Sequence, residues 1–188
     1  RRVLFRSKIA NKFIKLLLQN VNKIKYGNPF DKYTDLGPVI DTKIYNNAKL
    51  QVKKAIRSGA KHLYGNFYKD NVISPIILDN VNINMEIVSK ETFGPICPII
   101  RVKNIDEAIK FSNKTKYKMA GAIVTKSKKK YQKAFNQIEV GQFSVNGPPG
   151  FRLEEAPFGG FENSGNGEKE GLIMSSESMR KIRVLYQH

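Results

Sequence analysis

The sequence predicts an α/β protein with a mostly parallel open sheet flanked by helices. Between Ile96 and Val145 strand-like and helix-like segments alternate, the order that right-handed crossovers impose on parallel strands. Ile96 to Val102 is a continuous apolar run, as in a strand covered on both faces. Lys8 to Asn22 and the segment from Thr42 to Arg57 repeat apolar residues at helical spacing, which supplies the covering layers.

Taken in order, Val3 to Arg6 closes a short strand. The helix after it turns Ile9, Phe13, Leu16, Leu17 and, loosely, Val21 inward. Gly27 and Pro29 break the periodicity, and Leu36-Gly-Pro-Val-Ile40 is an ordered turn. Asp41 or Thr42 caps the next helix, with Ile44, Ala48, Val52, Ala55 and Ile56 inward and Gly59 as its stop. His62 to Tyr64 and Val72 to Leu78 read as strands, with Pro75 placing the second at an edge or boundary. Beyond Ile96 to Val102, Asp106 to Asn113 is a helix, Ala120 to Thr125 a strand, Ser127 to Gln137 a helix and Val140 to Val145 a strand. Met179 to Tyr186 alternates in the manner of a last strand. No internal repeat or low-complexity segment occurs.

Glycines at 159, 160, 165, 167 and 171 leave no helix or strand running through Arg152 to Gly171. Phe158 and Phe161 among them argue for a shaped loop and against a flexible spacer.

Length suits one domain: 188 residues, of which 40% are hydrophobic, bury a sizeable core. Position 1 is Arg, and Arg1 to Phe5 reads as the inside of a folded unit, which predicts a fragment. Lys8, Asn11, Lys12 and Lys15 break the first segment short of the roughly 7 to 15 apolar residues of a signal core. No run reaches the roughly 18 apolar residues of a membrane span, so the chain is expected to be soluble. The single Cys97 excludes an internal disulfide and fits a reducing, cytoplasmic setting. Its apolar neighbours mark it as a small hydrophobe and not a nucleophile. Neither His62 nor His188 has ligand-spaced partners, so no metal site is expected.

Net charge is +17, with Lys and Arg numbering 33 against 16 acids. That balance raises the question of a polyanion, but the lysines are scattered apart from Lys126 to Lys133, and no nucleic-acid module accompanies them. A solvated basic face is the better account.

Three stretches carry candidate chemistry. In Glu91-Thr-Phe-Gly-Pro95 a carboxylate can accept two ribose hydroxyls while Phe93 offers a ring face; a surface turn with a buried Phe explains the same residues equally well. Asn146-Gly-Pro-Pro-Gly150 follows a strand, where ligand crevices form in parallel sheets. Arg152, just beyond, suits a carboxylate or phosphate, or else an ion pair with Glu154, Glu155 or another acid.

Together with Gly27-Asn-Pro-Phe-Asp31, Leu36-Gly-Pro-Val-Ile40 and Pro157-Phe-Gly-Gly-Phe-Glu-Asn-Ser-Gly-Asn-Gly167, these stretches resemble the aldehyde dehydrogenase superfamily in order and along nearly the whole chain. The resemblance implies the carboxyl-terminal part of such an enzyme: residues 1–174 belonging to its catalytic domain and 175–188 to an oligomerisation segment. It implies that NAD or NADP is the cofactor, an aldehyde the substrate, and a homodimer or homotetramer the assembly. Glu91 matches a nicotinamide-ribose ligand and Phe93 the aromatic beside it. Phe158 matches a tunnel aromatic, and Asn146, in a matching segment, is expected with Arg152 and Phe158 to bind substrate. The nucleophilic Cys, general-base Glu and oxyanion Asn of the family are expected upstream of Arg1, so this chain carries no catalytic residue. Phe151 to Gly160 is similar to the branch handling anionic aldehydes, especially the phosphonoacetaldehyde dehydrogenases and less closely the lactaldehyde and succinate-semialdehyde dehydrogenases, with Arg152 pairing the anion. Lys118 replaces the family's usual Gly, and Glu162 stands where Lys is usual. The rival accounts are a non-catalytic assembly module of the same fold and a basic polyanion-binding protein.

Overall fold

The computed structural model describes residues 3–166, 170–181 and 183–187. Arg1, Gly167, Ile182 and His188, named above, lie outside them. Two compact units divide the chain between Ser112 and Asn113, inside the portion that the resemblance assigns to a single catalytic piece.

The first unit is organised on a four-stranded sheet. Strand β1 (Val3–Arg6) leads directly into α1 (Ser7–Val21), followed by α2 (Thr42–Arg57), β2 (Lys61–Tyr64), β3 (Ile76–Asp79), the single turn α3 (Glu86–Ser89), β4 (Ile96–Val102) and α4 (Ile105–Asn113). The strand order is β1-β4-β3-β2. β4 pairs parallel with both neighbours, and β2 adds an antiparallel edge. Pro75 stands one residue ahead of β3, where its missing N–H costs the ladder nothing.

Side-chain alternation along the strands sorts the core onto two faces. Ile76, Leu78, Ile96, Ile100 and Val102 pack with Ala48, Val52 and Ala55 of α2 and with Ile87 and Val88 of α3. Ile77 and Ile99 face the other way, onto Ile14 and Val21 of α1. Cys97 belongs to this second face and is partly, not fully, buried.

The second unit contains β5 (Tyr117–Lys118), β6 (Ala120–Ile123), α5 (Lys128–Gln137), β7 (Gln142–Val145), β8 (Phe161–Glu162) and α6 (Leu172–Ser178). β6 and β7 pair parallel in the register Ala120 to Gln142 through Ile123 to Val145. β5 pairs antiparallel with β8. On α5, Ala134 is buried, and Phe135 meets Phe143 edge-on at 6.0 Å.

Several expectations need correction. On α1 the buried stripe is Ala10, Ile14 and Val21, while Ile9 and Leu16 are half exposed. Val21 is buried as expected and Phe13 and Leu17 pack partly buried against the same cluster, so the inward face is the expected one widened to take in Ala10 and Ile14. On α2, Ile56 is exposed and Gln51 takes an inward place. The glycine-rich loop does contain a strand: β8 is formed there, and Phe158 bridges Glu170 antiparallel. Glycine permits these pairings, since a Cβ on Gly160 would run into Ser164 and one on Gly165 into the Gly160 carbonyl. After Gly171, whose φ is +133°, α6 forms where no helix was expected. The described part of Met179 to Tyr186 forms no strand. An isolated extended segment has no backbone partner within one chain.

Candidate functional site

In the first unit the candidate site is the connection from α3 to β4. Its far end is fixed by the Ile76 N–H, which donates to the Pro95 carbonyl at 2.8 Å, and by the Ile96 N–H, which donates to the Gly94 carbonyl at 2.8 Å. Its near end is fixed from α2. Gln51, only 1% exposed, donates through Nε2 to the Glu91 carbonyl at 3.4 Å, and its Oε1 accepts the Thr92 hydroxyl. The backbone is therefore tied on both sides, while the Glu91 carboxylate is exposed and the Phe93 ring is 62% exposed. The alternative of a turn that buries its Phe does not describe this loop. An exposed carboxylate with an exposed ring two residues on suits hydroxyl acceptance beside a planar group.

In the second unit the candidate site follows β7. Asn146 adopts φ +57°, and its backbone N–H donates to the Ile123 carbonyl at 2.8 Å. Its side-chain Oδ1 accepts the Thr125 N–H at 2.8 Å, and Nδ2 donates to the Thr125 carbonyl at 3.1 Å. The amide thus clips the end of β7 to the end of β6 in the manner of an added ladder rung. Gln142 draws the following loop back by donating to the Pro149 carbonyl.

Arg152 and Phe158 come together: the guanidinium carbon lies 4.5 Å from the ring centroid. Arg152 also meets an acid, though neither Glu154 nor Glu155; Nη2 is 3.5 Å from Oε2 of Glu170. The backbone bridge places that acid, with the Phe158 N–H donating to the Glu170 carbonyl at 2.7 Å and the Glu170 N–H returning the bond at 2.6 Å. Both charged groups are exposed, so the pair is weak. The ring face beside the guanidinium favours one orientation of it.

The family model for the aldehyde dehydrogenase family matches residues 1–184. The chain belongs to the aldehyde dehydrogenase family.

Within that family it is 33% identical over 187 residues to a lactaldehyde dehydrogenase of Methanococcus vannielii, covering 100% of this chain and 40% of that protein. It is 34% identical to the glyceraldehyde-3-phosphate dehydrogenase GapN of Methanocaldococcus jannaschii, solved in complex with NADP, with a TM-score of 0.89 over 95% of this chain and 38% of that one. Aldehyde dehydrogenase 21 of Physcomitrella patens, solved with its reaction product succinate, is 31% identical with a TM-score of 0.89 over 95% of this chain and 37% of that one. The chain thus spans about two fifths of the length of the curated relatives it matches.

The two residues that the resemblance marks as departures, Lys118 and Glu162, meet in space. Lys118 Nζ pairs with Glu162, and also with Glu139. The Lys118 side chain is 10% exposed, and hydrogen bonds to Glu139 and then Glu162 hold its ammonium above the usual lysine range. Glycine at 118 would leave Glu162 without this cation, and lysine at 162 would oppose Lys118.

Gln51 and Glu170 escaped sequence reasoning. Gln51 does leave a trace, a polar residue inside an apolar helical stripe. Glu170 leaves none, because its place depends on a backbone bridge across the loop. Among the described residues, no group of three or more His, Cys, Asp or Glu could hold a metal ion. None of the described helices is long and apolar enough to cross a membrane.

Proposed function

We propose that the complete protein oxidises an anionic aldehyde to its carboxylic acid with NAD or NADP. The observation that carries this is the Arg152 guanidinium, steadied over Phe158 at 4.5 Å and, among the described residues, paired with Glu170 across a long, exposed contact. Such a group is available to a substrate carboxylate or phosphate, because displacing Glu170 replaces one weak pair by a charge-assisted contact. Relatives acting on lactaldehyde and glyceraldehyde-3-phosphate, and one solved with succinate, support an anionic or oxygenated substrate.

Glu91 and Phe93 fit a nicotinamide dinucleotide: the exposed carboxylate would accept ribose hydroxyls and the exposed ring would offer a face beside them. When bound, the dinucleotide accepts the hydride lost by the aldehyde. The balance is aldehyde, water and oxidised dinucleotide giving acid, reduced dinucleotide and a proton. A thiolate nucleophile and a water-activating carboxylate, which the cysteine-dependent route needs, come from residues outside these 188. Cys97 is not that nucleophile; it packs in β4 against Ile77 and Ile99. Arg152 orients the substrate through its remote anion, and Asn146 serves by holding the strand ends from which this loop departs.

The last segment, 175–188, packs on a second copy of the chain, giving a homodimer or homotetramer. Met179, Val184, Leu185 and Tyr186 are exposed apolar residues of the kind that subunit contacts cover.

The test is an aldehyde panel presented to the complete protein with NAD and with NADP, following reduced dinucleotide by absorbance. Reduction with anionic aldehydes, faster than with neutral ones of equal length, is the expected result. No reduction with any aldehyde would remove the proposal.

A further inference from the structure

Gln51 is a buried amide in a helix stripe that otherwise needs only apolar atoms: Ala48, Val52 and Ala55 are its neighbours on α2. A side chain 1% exposed loses its water, and an amide that did so without partners would destabilise the fold. The Gln51 partners are specific. Nε2 donates to Asn47 Oδ1 at 3.4 Å, one turn earlier on the same helix, and to the Glu91 carbonyl at 3.4 Å. Oε1 accepts the hydroxyl of Thr92. Two of these contacts therefore fall on consecutive residues of one loop, 40 and 41 positions away in sequence.

Glu91 is the loop's exposed carboxylate, and its direction is set by its own backbone. Gln51 grips that backbone from inside the core and leaves the carboxylate itself untouched. An apolar residue of similar volume would fill the same space, so packing alone does not account for the amide. We infer that Gln51 is a positioning residue, fixing the Glu91-Thr92 peptide so that the carboxylate meets the ribose hydroxyls of the dinucleotide. This inference rests on the dinucleotide-binding role of Glu91 set out above.

The experiment measures equilibrium binding to the complete protein by titration calorimetry, with NAD, NADP and ADP as probes. ADP lacks the nicotinamide ribose and reports whether the rest of the dinucleotide site is intact. Gln51→Leu is expected to weaken the preferred dinucleotide roughly 3- to 10-fold, the scale of one or two neutral hydrogen bonds, with ADP binding unchanged. Combined with Glu91→Gln, it should add little further loss, because the carboxylate it positions is already gone. Unchanged dinucleotide binding in Gln51→Leu, or a full second loss on top of Glu91→Gln, overturns the inference while leaving the proposed function in place. Equal weakening of ADP and dinucleotide also overturns it, since a general structural role does that. If Gln51→Leu does not fold, Thr92→Val, which removes one of the two loop contacts, decides the matter: selective weakening upholds the inference and none ends it. Wild-type protein that binds neither dinucleotide defeats the proposed function itself.

Discussion

Among the described residues Arg152 stacks on Phe158 and meets Glu170 in an exposed pair, so in the proposed function the acid stands where a substrate anion would bind. Removing the competitor has a direct consequence. In the complete protein Glu170→Gln is expected to lower KM for anionic aldehydes about 2- to 5-fold, in line with the modest strength of exposed ion pairs, and to leave neutral aldehydes unaffected. Steady-state kinetics on matched pairs checks it; a rise in KM for the anionic member would show that Glu170 helps Arg152 and does not compete with it. At this scale the sequence was partly legible. Arg152 announced itself by its charge beside a strand end, and Glu91 by its place before β4. Asn146 was legible as a strand-end residue, but not as one whose amide is spent on Thr125. Gln51 and Glu170 act through partners about 40 and 18 residues distant, and side-chain chemistry alone does not specify partners at such range.

Elements were read best where periodicity is strong. β1, α2, β4, α4 and α5 fall within a residue or two of the expected spans, since each has a clear apolar period or a cap such as Asp41, whose carboxylate accepts the Ile44 N–H at 2.6 Å. β5 and β8 are two residues each, too short for a period, and they exist because they pair with each other. The Lys118 ion cluster joins these two strands and adds Glu139 from the turn before β7, which makes it testable as a unit. Lys118→Glu alone should lower the stability of the second unit, since it sets three carboxylates together where an ion cluster stood. Adding Glu162→Lys should restore at least half of that loss in urea unfolding; no recovery would mean that the two departures are independent. In the first unit, β3 and β4 share a bidentate pair, Arg101 Nε to Asp79 Oδ1 at 3.0 Å and Nη2 to Oδ2 at 2.7 Å. Burial pushes the Asp79 carboxyl up, but the Arg101 hydrogen bonds, the Asn80 N–H and the charges of Arg101 and Lys61 outweigh it and hold the carboxyl below its usual range. A depressed carboxyl stabilises the fold above its unfolded value of about 3.9, and that contribution is lost as pH falls through the folded value. Asp79→Asn should therefore flatten the acid limb of stability measured between pH 5 and the acid transition; an unchanged limb would assign it to other carboxylates.

For the molecule as a whole, the α/β class was legible because strand and helix alternate with distinct periods, and the parallel β1-β4-β3 core follows from that alternation. The division between Ser112 and Asn113 was not, because no Pro- or Gly-rich linker marks it: the boundary falls at the end of α4. Charge was informative mainly by its distribution. Exposed lysines 126, 128, 129 and 130 surround α5 without stacking aromatics between them, which favours a solvated face. Substrate choice in the proposed function depends on Arg152, and one comparison tests it most directly. In the complete protein, kcat/KM is measured for an anionic aldehyde and a neutral aldehyde of the same length, in wild type and in Arg152→Ala. Loss of a charge-assisted contact predicts a fall of about 10- to 100-fold for the anionic substrate with the neutral one changed less than about 3-fold. An equal fall for both, or none for either, would contradict the account.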